Sequence, residues 1–474
     1  YILRGANTTI FNNTLQTNAT NGTNSHVITE LLTTGFLNIT NNFIKHGAKS
    51  IFGSAVKSDG IVTSGNTNLN VFIINNTIIT EGNGGGNGIS ITSPSGGGII
   101  RDNFINVTSS FGTAIAAMAL TTVNDTNISN NVIITSNSAA AAYCISIVNS
   151  HKNTIYDNNI TTYGATGYGI YLLTTPSKNN NITNINITTL GSAAHGIFLQ
   201  ANSDNNSFNN IKIITNNTNA VSLVISNTHH NFTIRDSIFK SRNVSDFLVV
   251  KAVTGGEWNF TNLTRADSTM NITWMAGANG TLNVHWHLDA ISNYTNSSVA
   301  INANITAINN NNSIQFSILT GSNGRISRQS LLEFRQNRTT KTYYSNYTFN
   351  ATLQGQNLTQ SWNMSTNREL VFTFVPDMPS ITINYPSNGS NIFDNRSVIL
   401  NWSIFDDDNN SEVWAWASND SNILYDRLIY HRKNIGDGNL FSNHMRFKSG
   451  ANLMNSLPHN SDQIKILLVD DREE

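Results

Sequence analysis

Hydrophobic and polar positions in the first half of the chain recur with a period of 26 to 34 residues. Nine large apolar residues mark the repeats. Each is followed two residues later by Asn or Asp, and five residues later by another large apolar residue. This regularity at two offsets lies far outside chance and indicates a repeat architecture. The nine residues, called anchors below, are Ile10, Ile39, Ile73, Ile100, Ile128, Ile155, Ile182, Phe208 and Ile234.

The repeat length and its residue types predict short β-strands. The apolar segments alternate with polar residues, whereas a helical solenoid needs long amphipathic stretches with a 3.6-residue period. One repeat therefore corresponds to one coil of a three-faced parallel β-helix, whose inward side chains stack on equivalents about 4.8 Å away in the next coil. We expect the Asn or Asp two residues after each anchor to point inward and to form an amide ladder between coils.

The repeat segments NTIYDNNI, NNNITNINI and NNSFNNIKI resemble the parallel β-helix repeats of the pectin-lyase-like superfamily. They are most similar to NosD-like surface and periplasmic proteins of the carbohydrate-binding and sugar-hydrolase type. The resemblance covers about residues 1–280 and implies a right-handed parallel β-helix. Because one fold supports many activities, the repeat indicates the fold and says little about chemistry.

Two later stretches have the alternation of β-sandwich modules. Residues 281–375, with the turn TGSNGRIS between strand-like runs, resemble carboxypeptidase-regulatory-like domains. Residues 376–440, with a Trp in a central strand, resemble immunoglobulin or fibronectin type III modules. Residues 441–474 form an unassigned tail. The predicted fold class is all-β, a right-handed parallel β-helix at 1–280 followed by two β-sandwich domains.

Composition excludes several classes of function. Charged residues make up 12 % of the chain and the net charge is −1, so no basic surface for nucleic acid is expected. No run approaches the ~18 apolar residues of a membrane span. The single cysteine, Cys144, excludes an intrachain disulfide. The chain opens at YILRG without an initiator Met or a signal peptide, so we expect a processed chain or a piece of a longer one.

Asparagine is the dominant polar residue. With Ser and Thr at 21 % of positions, chance placement of 78 asparagines predicts about 16 Asn-x-Ser/Thr triplets, and the chain has 34. The excess indicates N-glycan acceptors on an exported surface, although Asn-rich and Thr-rich strands also produce such triplets by themselves. Asn12 and Asn75 are expected to be inaccessible because they lie in the inward column. The predicted glycosylation sites are Asn38, Asn127, Asn159, Asn181, Asn186, Asn259, Asn279, Asn346 and Asn388.

Candidate catalytic residues are sparse in the repeat region. The carboxylates of Asp102, Asp157 and Asp236 fall in the Asn column. At the strand spacing Asp102 and Asp157 are about 10 Å apart, at the limit for a glycosidase pair, and Asp157 and Asp236 are about 14 Å apart, which is too wide. A second column holds His151, Ser177, Asp204 and His230, which include the residue types of a nucleophilic triad. A polar row along a turn, or a sugar- or ion-binding edge, accounts for the same residues, and no catalytic residue is assigned.

Two aromatic residues are candidates for sugar binding. Ile170 and Ile197 are expected to point inward, so Tyr171 and Phe198 should point outward, one coil apart. Exposed rings side by side would form a saccharide platform. The alternative is a cross-strand aromatic ladder without a ligand.

Two segments carry residue types that bind metal ions. The oxygen-bearing side chains of Asp406, Asp408, Asn410 and Glu412 alternate like those of a calcium loop, but the glycine and distant glutamate of an EF-hand are missing. His285 and His287 share one face of a predicted strand without a third ligand nearby in sequence. No cofactor is expected, and calcium remains an alternative to a solvated acidic turn.

These features favour a non-catalytic, glycosylated extracellular or cell-surface protein with a structural or adhesive role. The alternatives are a polysaccharide lyase or hydrolase, a sugar-binding protein, and a periplasmic accessory protein. Expected partners are further copies of the chain or other surface proteins, with polysaccharide as another candidate. Because the first anchor follows only nine residues, we also expect another chain or missing residues to cover Leu3 and Ile10 of the N-terminal coil.

Overall fold

The computed structural model contains only β-strands and loops. It describes residues 2–3, 7–19, 25–31, 35–48, 58–64, 69–82, 86–92, 97–109, 115–137, 141–173, 175–200, 203–226, 231–242, 248–250, 254–265, 272–376, 380–385, 397–406, 413–418, 427–432, 439–448 and 465–470. The described part is a parallel β-solenoid followed by an antiparallel sheet, which confirms the predicted all-β class.

Sheet A forms one face of the solenoid and contains eleven parallel strands. At about 4.8 Å per step, its strands span roughly 48 Å. In chain order they are β1 (Ile2–Leu3), β4 (Ser25–Leu31), β7 (Ser58–Ser64), β10 (Ile89–Thr92), β13 (Ile115–Thr121), β16 (Ala142–Val148), β19 (Ile170–Leu172), β21 (Ile197–Leu199), β23 (Leu223–Ile225), β25 (Leu248–Val250) and β27 (Ile272–Trp274).

Sheet B forms the other two faces, and most coils contribute two of its strands separated by a corner. The paired strands are β2 (Thr8–Phe11) and β3 (Thr14–Ala19), β5 (Gly35–Thr40) and β6 (Phe43–Ala48), β8 (Leu69–Ile74) and β9 (Thr77–Gly82), β11 (Gly98–Arg101) and β12 (Phe104–Ser109), β14 (Thr126–Ser129) and β15 (Val132–Asn137), and β17 (Thr154–Tyr156) and β18 (Asn159–Thr162). In later coils single strands run through the corner: β20 (Asn181–Thr189), β22 (Asn206–Thr215), β24 (Asn231–Ser241), β26 (Thr254–Arg265) and β28 (Asn279–Tyr294).

The anchors stack as the sequence predicts. Each anchor is the register partner of the next, from Ile10 opposite Ile39 to Phe208 opposite Ile234. All except the half-buried Ile10 are fully buried in the solenoid core. The hydrophobic effect, at about 25 cal/mol per Å² of buried apolar surface, therefore acts along the whole stack.

The predicted amide ladder lies one residue later than expected. The Asn or Asp two residues after each anchor is not buried, and its backbone is left-handed, with φ between 48° and 59°. Asn and Asp are the non-glycine residues that best tolerate this conformation, so they are selected here for the turn. The prediction that this column points inward is wrong, and Asn12 and Asn75 are exposed.

A buried ladder is formed by the asparagines three residues after the anchors. Asn103 donates both its main-chain N–H (3.0 Å) and its Nδ2 (2.9 Å) to Oδ1 of Asn131. Asn131 repeats both bonds to Asn158 and also donates Nδ2 to the carbonyl of Ile100 at 2.9 Å. The side chain thus satisfies main-chain groups that the bend removes from the strand ladder. Asn42 and Asn76 make the same contacts.

The ladder ends where the sequence changes. Ile185 and Ile211 occupy its position in the next two coils, and there the two strands flanking the corner merge into the continuous strands β20 and β22. An isoleucine side chain cannot accept the corner N–H as the Asn side chains do. In β24 the same position holds Ser237, whose hydroxyl accepts from the N–H of Ile211 at 3.0 Å although the strand is continuous. The change from Asn therefore coincides with the merged strands but does not alone decide them.

Strand β28 connects the solenoid to the following module. Its first half pairs in parallel with β26, its residues 282–288 pair antiparallel with β31 (Gln329–Gln336), and its residues 288–294 pair in parallel with β35 (Arg368–Phe374). β32 (Lys341–Tyr343) extends this sheet. A four-stranded antiparallel sheet C follows, and its inward residues share the hydrophobic cluster of the solenoid. Its strands, in spatial order, are β30 (Ile314–Leu319), β29 (Asn304–Ile308), β33 (Tyr347–Leu353) and β34 (Gln356–Trp362).

Beyond residue 376 the description is limited to backbone strands in two three-stranded antiparallel sheets. Sheet D contains β36 (Ser380–Tyr385), β37 (Ser397–Asp406) and β40 (Asn439–Lys448). Sheet E contains β38 (Val413–Ser418), β39 (Arg427–Arg432) and β41 (Lys465–Asp470). β41 and all but the first two residues of β40 lie in the segment 441–474 that the sequence left unassigned. The domain boundaries at 280, 375 and 440 stay predictions.

Candidate functional site

The outer face of sheet A carries an aromatic cluster, and its two predicted members lie in it. Tyr171 and Phe198 are register partners on β19 and β21, outside the solenoid core. They are only 8 % and 7 % exposed, so the expected pair of exposed rings is wrong. The neighbouring rings of Tyr143 and Tyr168 cover them.

Tyr143, Tyr168 and His195 form a second outward column, which the sequence interpretation missed. Each lies two residues before an inward isoleucine of sheet A, and this recurrence was readable in the sequence. The ring centroids of Tyr143 and Tyr168 are 5.2 Å apart, and those of Tyr168 and His195 are 5.4 Å apart, both stacked. Tyr168 also stacks on Phe198 at 4.7 Å.

This geometry is that of a cross-strand aromatic ladder. Both faces of the Tyr168 ring contact other rings, so neither face is open to a pyranose. Burial, together with the neighbouring phenol of Tyr143, raises the pKa of Tyr168 to about 12, and the same causes raise the pKa of Tyr171. The hydroxyl of Tyr171 donates to Oε1 of Gln200. The phenols therefore remain protonated at neutral pH and stabilise the sheet by ring packing.

The row of side chains that contains His151 and Asp204 includes Lys178 in place of the predicted Ser177. Strand register aligns His151 with Lys178 and Asp204, because Thr154, Asn181 and Ser207 are neighbours on successive coils. Ser177 lies one residue away, is fully buried, and donates its hydroxyl to the carbonyl of Ile147. The strand register therefore does not bring Ser177 into line with His151 and Asp204. His230, the next predicted member, lies outside the described residues.

The true row is a polar edge of the solenoid. Lys178 donates its main-chain N–H to Nδ1 of His151 at 3.0 Å, and its Nζ lies 2.8 Å from Oδ2 of Asp204. Burial, followed by the charges of Lys178 and Lys152, lowers the pKa of His151. A neutral imidazole, an ammonium and a carboxylate thus alternate along the axis and satisfy one another without a nucleophile.

The carboxylates of the corner column are separated from one another. Asp102 accepts from its sequence neighbour Arg101 at 2.7 Å, and Asp157 is exposed at its own corner. Asp236 contacts Nε2 of His287 at 3.0 Å and accepts from Asn262 at 2.6 Å. No two of them are register neighbours on adjacent coils.

The metal candidates divide into two groups. Asp408, Asn410 and Glu412 lie outside the described residues, and only the backbone of Asp406 is described, as the last residue of β37. His285 and His287 lie on β28, and His287 contacts Asp236. Within the described ranges, no three His, Cys, Asp or Glu side chains cluster in a metal-binding arrangement.

Histidines whose pKa values are lowered by the fold predict a loss of stability in acid. Burial is the largest cause that lowers the pKa of His46 and of His285 from the ordinary value of 6.5. Between the lowered pKa of the folded state and the ordinary value of 6.5, the unfolded chain binds more protons than the folded chain. The free energy of unfolding should therefore fall as the pH falls below about 6.5. Burial raises the pKa of Glu333, an opposing contribution that is lost as the pH rises through its folded value. The pKa of His151 is also lowered, and a hydrogen bond from Arg328 lowers the pKa of Asp289, so among the described groups four lose stability in acid against the single opposing carboxyl of Glu333. The urea midpoint should therefore be lower at pH 5.0 than at pH 7.5.

The variant His46→Gln provides the comparison. It removes one titrating group, so the difference between the two midpoints should shrink even if the variant is less stable at both pH values. An equal or higher midpoint at pH 5.0 in the unmodified chain would contradict the assignment of the buried His46 and the half-buried His285 as neutral residues.

The predicted glycosylation sites lie on the outside of the protein wherever they are described. Asn127, Asn159, Asn181 and Asn186 are exposed on sheet B, as expected, and Asn279 and Asn346 are exposed as well. Asn38 and Asn259 are half-buried, and their side-chain carbonyls accept from Thr40 and Asn283. Asn388 lies outside the described residues.

Burial separates the asparagines into two populations. No described asparagine that begins an Asn-x-Ser/Thr triplet is buried. The other population is buried. Its members at the solenoid corners are followed two residues later by an inward apolar residue, which excludes a triplet there. The buried asparagines, all outside such triplets, are Asn42, Asn76, Asn103, Asn131, Asn153, Asn158, Asn180, Asn206, Asn283 and Asn309.

Cys144 is chemically inert in this fold. It is fully buried, with Sγ 3.3 Å from the hydroxyl of Thr135, and burial raises its thiol pKa to about 12. A thiol that is protonated and inaccessible is a poor nucleophile.

In the described ranges there is also no helix long and apolar enough to cross a bilayer.

Comparisons with known proteins give little similarity. No family profile and no curated protein matches the chain. Among solved structures, the TIE protein of Bacillus anthracis aligns over 42 % of this chain and 34 % of its own, with 10 % identity and a TM-score of 0.21. The major pilin subunit BcpA of Bacillus cereus aligns over 29 % of this chain and 43 % of its own, with 14 % identity and a TM-score of 0.15. The alignments span less than half of either protein, and TM-scores this low support no inference about fold or function.

Proposed function

We propose that this chain is an exported, N-glycosylated protein with a structural or adhesive role at a cell surface, in which the solenoid acts as a rigid stalk. The carrying observation is the separation of the asparagines. Among the described asparagines, those in triplets lie in or near solvent, where an oligosaccharide needs its acceptor amide, and those that satisfy the buried corners lie outside triplets. Strand alternation places an Asn and the Thr two residues later on one face, so part of this coincidence is geometric. The twofold excess of triplets over chance supports glycan acceptors.

The interior of the solenoid supports a mechanical role. Stacked anchors and asparagine ladders repeat from coil to coil, so each coil is held by both neighbours through apolar contact and hydrogen bonds. A rod built this way resists bending because deformation at one coil strains pairings along sheets A and B. The assignment to the pectin-lyase-like superfamily is part of this proposal and rests on the repeat resemblance.

The proposal includes the absence of catalysis. The only serine considered as a nucleophile is Ser177, and its hydroxyl is buried and bonded to a carbonyl. A polysaccharide lyase or hydrolase is the second candidate, favoured by the repeat resemblance alone. A sugar-binding role is weakened because both faces of the Tyr168 ring are covered.

Two assays on the native source separate these functions. Labelling of intact cells with a membrane-impermeant amine reagent should modify this protein, whereas a cytosolic control protein should remain unlabelled. The purified chain should release no reducing ends or unsaturated products from a panel of acidic and neutral polysaccharides. Protection from the label, or release of such products, would contradict the proposal.

A further inference from the structure

Sheet C has two edges, and they are protected differently. Strand β34 lies at one edge, where Gln356 and Gln360 bond through their side chains to the main chain of Val375 and Val371. Strand β30 lies at the other edge, and in the described part of the chain it pairs only with β29. Among the described residues, one edge is therefore sealed within the molecule, and the other is open.

Strand β30 lacks the residues that usually block an open edge. Its sequence, Ile-Gln-Phe-Ser-Ile-Leu, contains no charge, no proline and no glycosylation triplet. Natural proteins place Lys, Pro or a bulge on exposed edges to prevent pairing with another chain. A bulge opposite Ile308 is present, and it restricts regular pairing to the segment from Phe316 onward.

The alternation of main-chain groups identifies which residues face the open edge. Thr320 donates its N–H to Ala303 and accepts from the N–H of Asn302, so its main chain points toward β29. Because these groups alternate along an antiparallel strand, those of Ser317 and Leu319 point away from β29. Leu319 is 58 % exposed, which keeps this stretch accessible.

We propose that β30 pairs antiparallel with β30 of a second copy of this chain, centred on Ile318. In this register Ser317 of each copy lies opposite Leu319 of the other. Four main-chain hydrogen bonds then satisfy the open groups of both strands. Ile318 lies opposite itself, with no charge to repel, and the two sheets C become one eight-stranded sheet. The register is self-complementary, as a two-fold interface requires, and this is why a second copy is the occupant.

The inference extends the proposed structural role by naming the contact through which stalks associate. It requires neither export nor glycans, so the two proposals fail separately. Bare asparagines in the native protein would leave the pairing intact. A strictly monomeric chain would leave the glycosylation claim intact.

Disulfide trapping tests the register in the full chain produced in a host without N-glycosylation. Ile318 is a non-hydrogen-bonded position in the proposed pair, where Cα atoms lie about 4.5 Å apart, within the range that disulfides span. The variant Ile318→Cys should therefore form a covalent dimer under mild oxidation at tens of micromolar protein. The matched variant Ser361→Cys, on the sealed edge strand β34, should form at least ten times less dimer. Cys144 is buried and gives no background.

A proline confirms that backbone pairing is involved. In the double variant with Ser317→Pro, one edge N–H is removed, and trapping through Cys at 318 should drop at least fivefold while the melting temperature stays within a few degrees. In wild-type protein, light scattering after size exclusion should show a dimer that Leu319→Lys converts to monomer. Equal trapping at both edges, or no trapping at position 318, would overturn the proposal.

Discussion

Asn131→Leu is expected to lower the free energy of unfolding by about 3–5 kcal/mol. The substitution removes the Oδ1 that accepts from the main chain and the side chain of Asn103, and the Nδ2 that donates to Ile100 and Asn158. The main-chain N–H of Asn103 and the carbonyl of Ile100 would lose these partners in a dry corner, and each buried unsatisfied group costs about 1–3 kcal/mol. Urea denaturation followed by circular dichroism measures the change.

The adjacent residue provides the control. Asn130 is exposed and left-handed, with φ of 54°. Asn130→Gly should be nearly neutral, and Asn130→Leu should cost about 1–2 kcal/mol through backbone strain. If Asn130→Leu destabilised as much as Asn131→Leu, the assignment of ladder and turn to adjacent residues would be wrong.

Trp258→Ala is expected to cost about 3–5 kcal/mol, the range for truncating a large buried aromatic. Trp258 is the largest fully buried side chain described, and its ring stacks on Trp274 at a centroid distance of 5.7 Å. Gly280 leaves room for it, since a Cβ there would lie 2.6 Å from Cη2 of the indole. The loss follows from the cavity left beneath the last coils and is measured by the same urea titration.

Two control variants test whether the loss comes from the cavity at Trp258. Trp258→Phe retains most of the apolar volume and should cost clearly less than the alanine variant. Trp362, 40 % exposed on β34, is the matched surface residue, and Trp362→Ala should cost less than about 1 kcal/mol. Similar midpoints for Trp258→Ala and Trp362→Ala would show that Trp258 does not close the core.

The periodic apolar positions predicted the solenoid because inward stacking constrains every coil in the same way. The anchors and the residues five positions later required no knowledge of turn geometry, and their register is as expected. The corner was misread because two physical demands select Asn at adjacent positions. Left-handed backbone selects it at Asn130, and buried hydrogen bonding selects it at Asn131. Composition alone does not distinguish the two.

The side-chain rows were harder to predict because the coils differ in length. Counting forward from an anchor aligned Ser177 with His151, whereas counting back from the next anchor gives Lys178, as the strand register shows. Similarly, the outward direction of Tyr171 followed from alternation, but its burial did not. The burial of Tyr171 depends on Tyr143 and Tyr168, whose rings pack over it. Each of these two tyrosines lies two residues before an inward isoleucine of sheet A.

Site-resolved glycopeptide mass spectrometry of the protein from its natural source tests the central claim most directly. We expect oligosaccharide on several exposed triplet asparagines of the solenoid, namely Asn127, Asn159, Asn181 and Asn186, with Asn12 and Asn75 now also accessible. Each modification would confirm that this face of sheet B meets solvent in an exported protein. Unmodified asparagine at all of these positions, in peptides that are fully recovered, would contradict the glycosylated surface role.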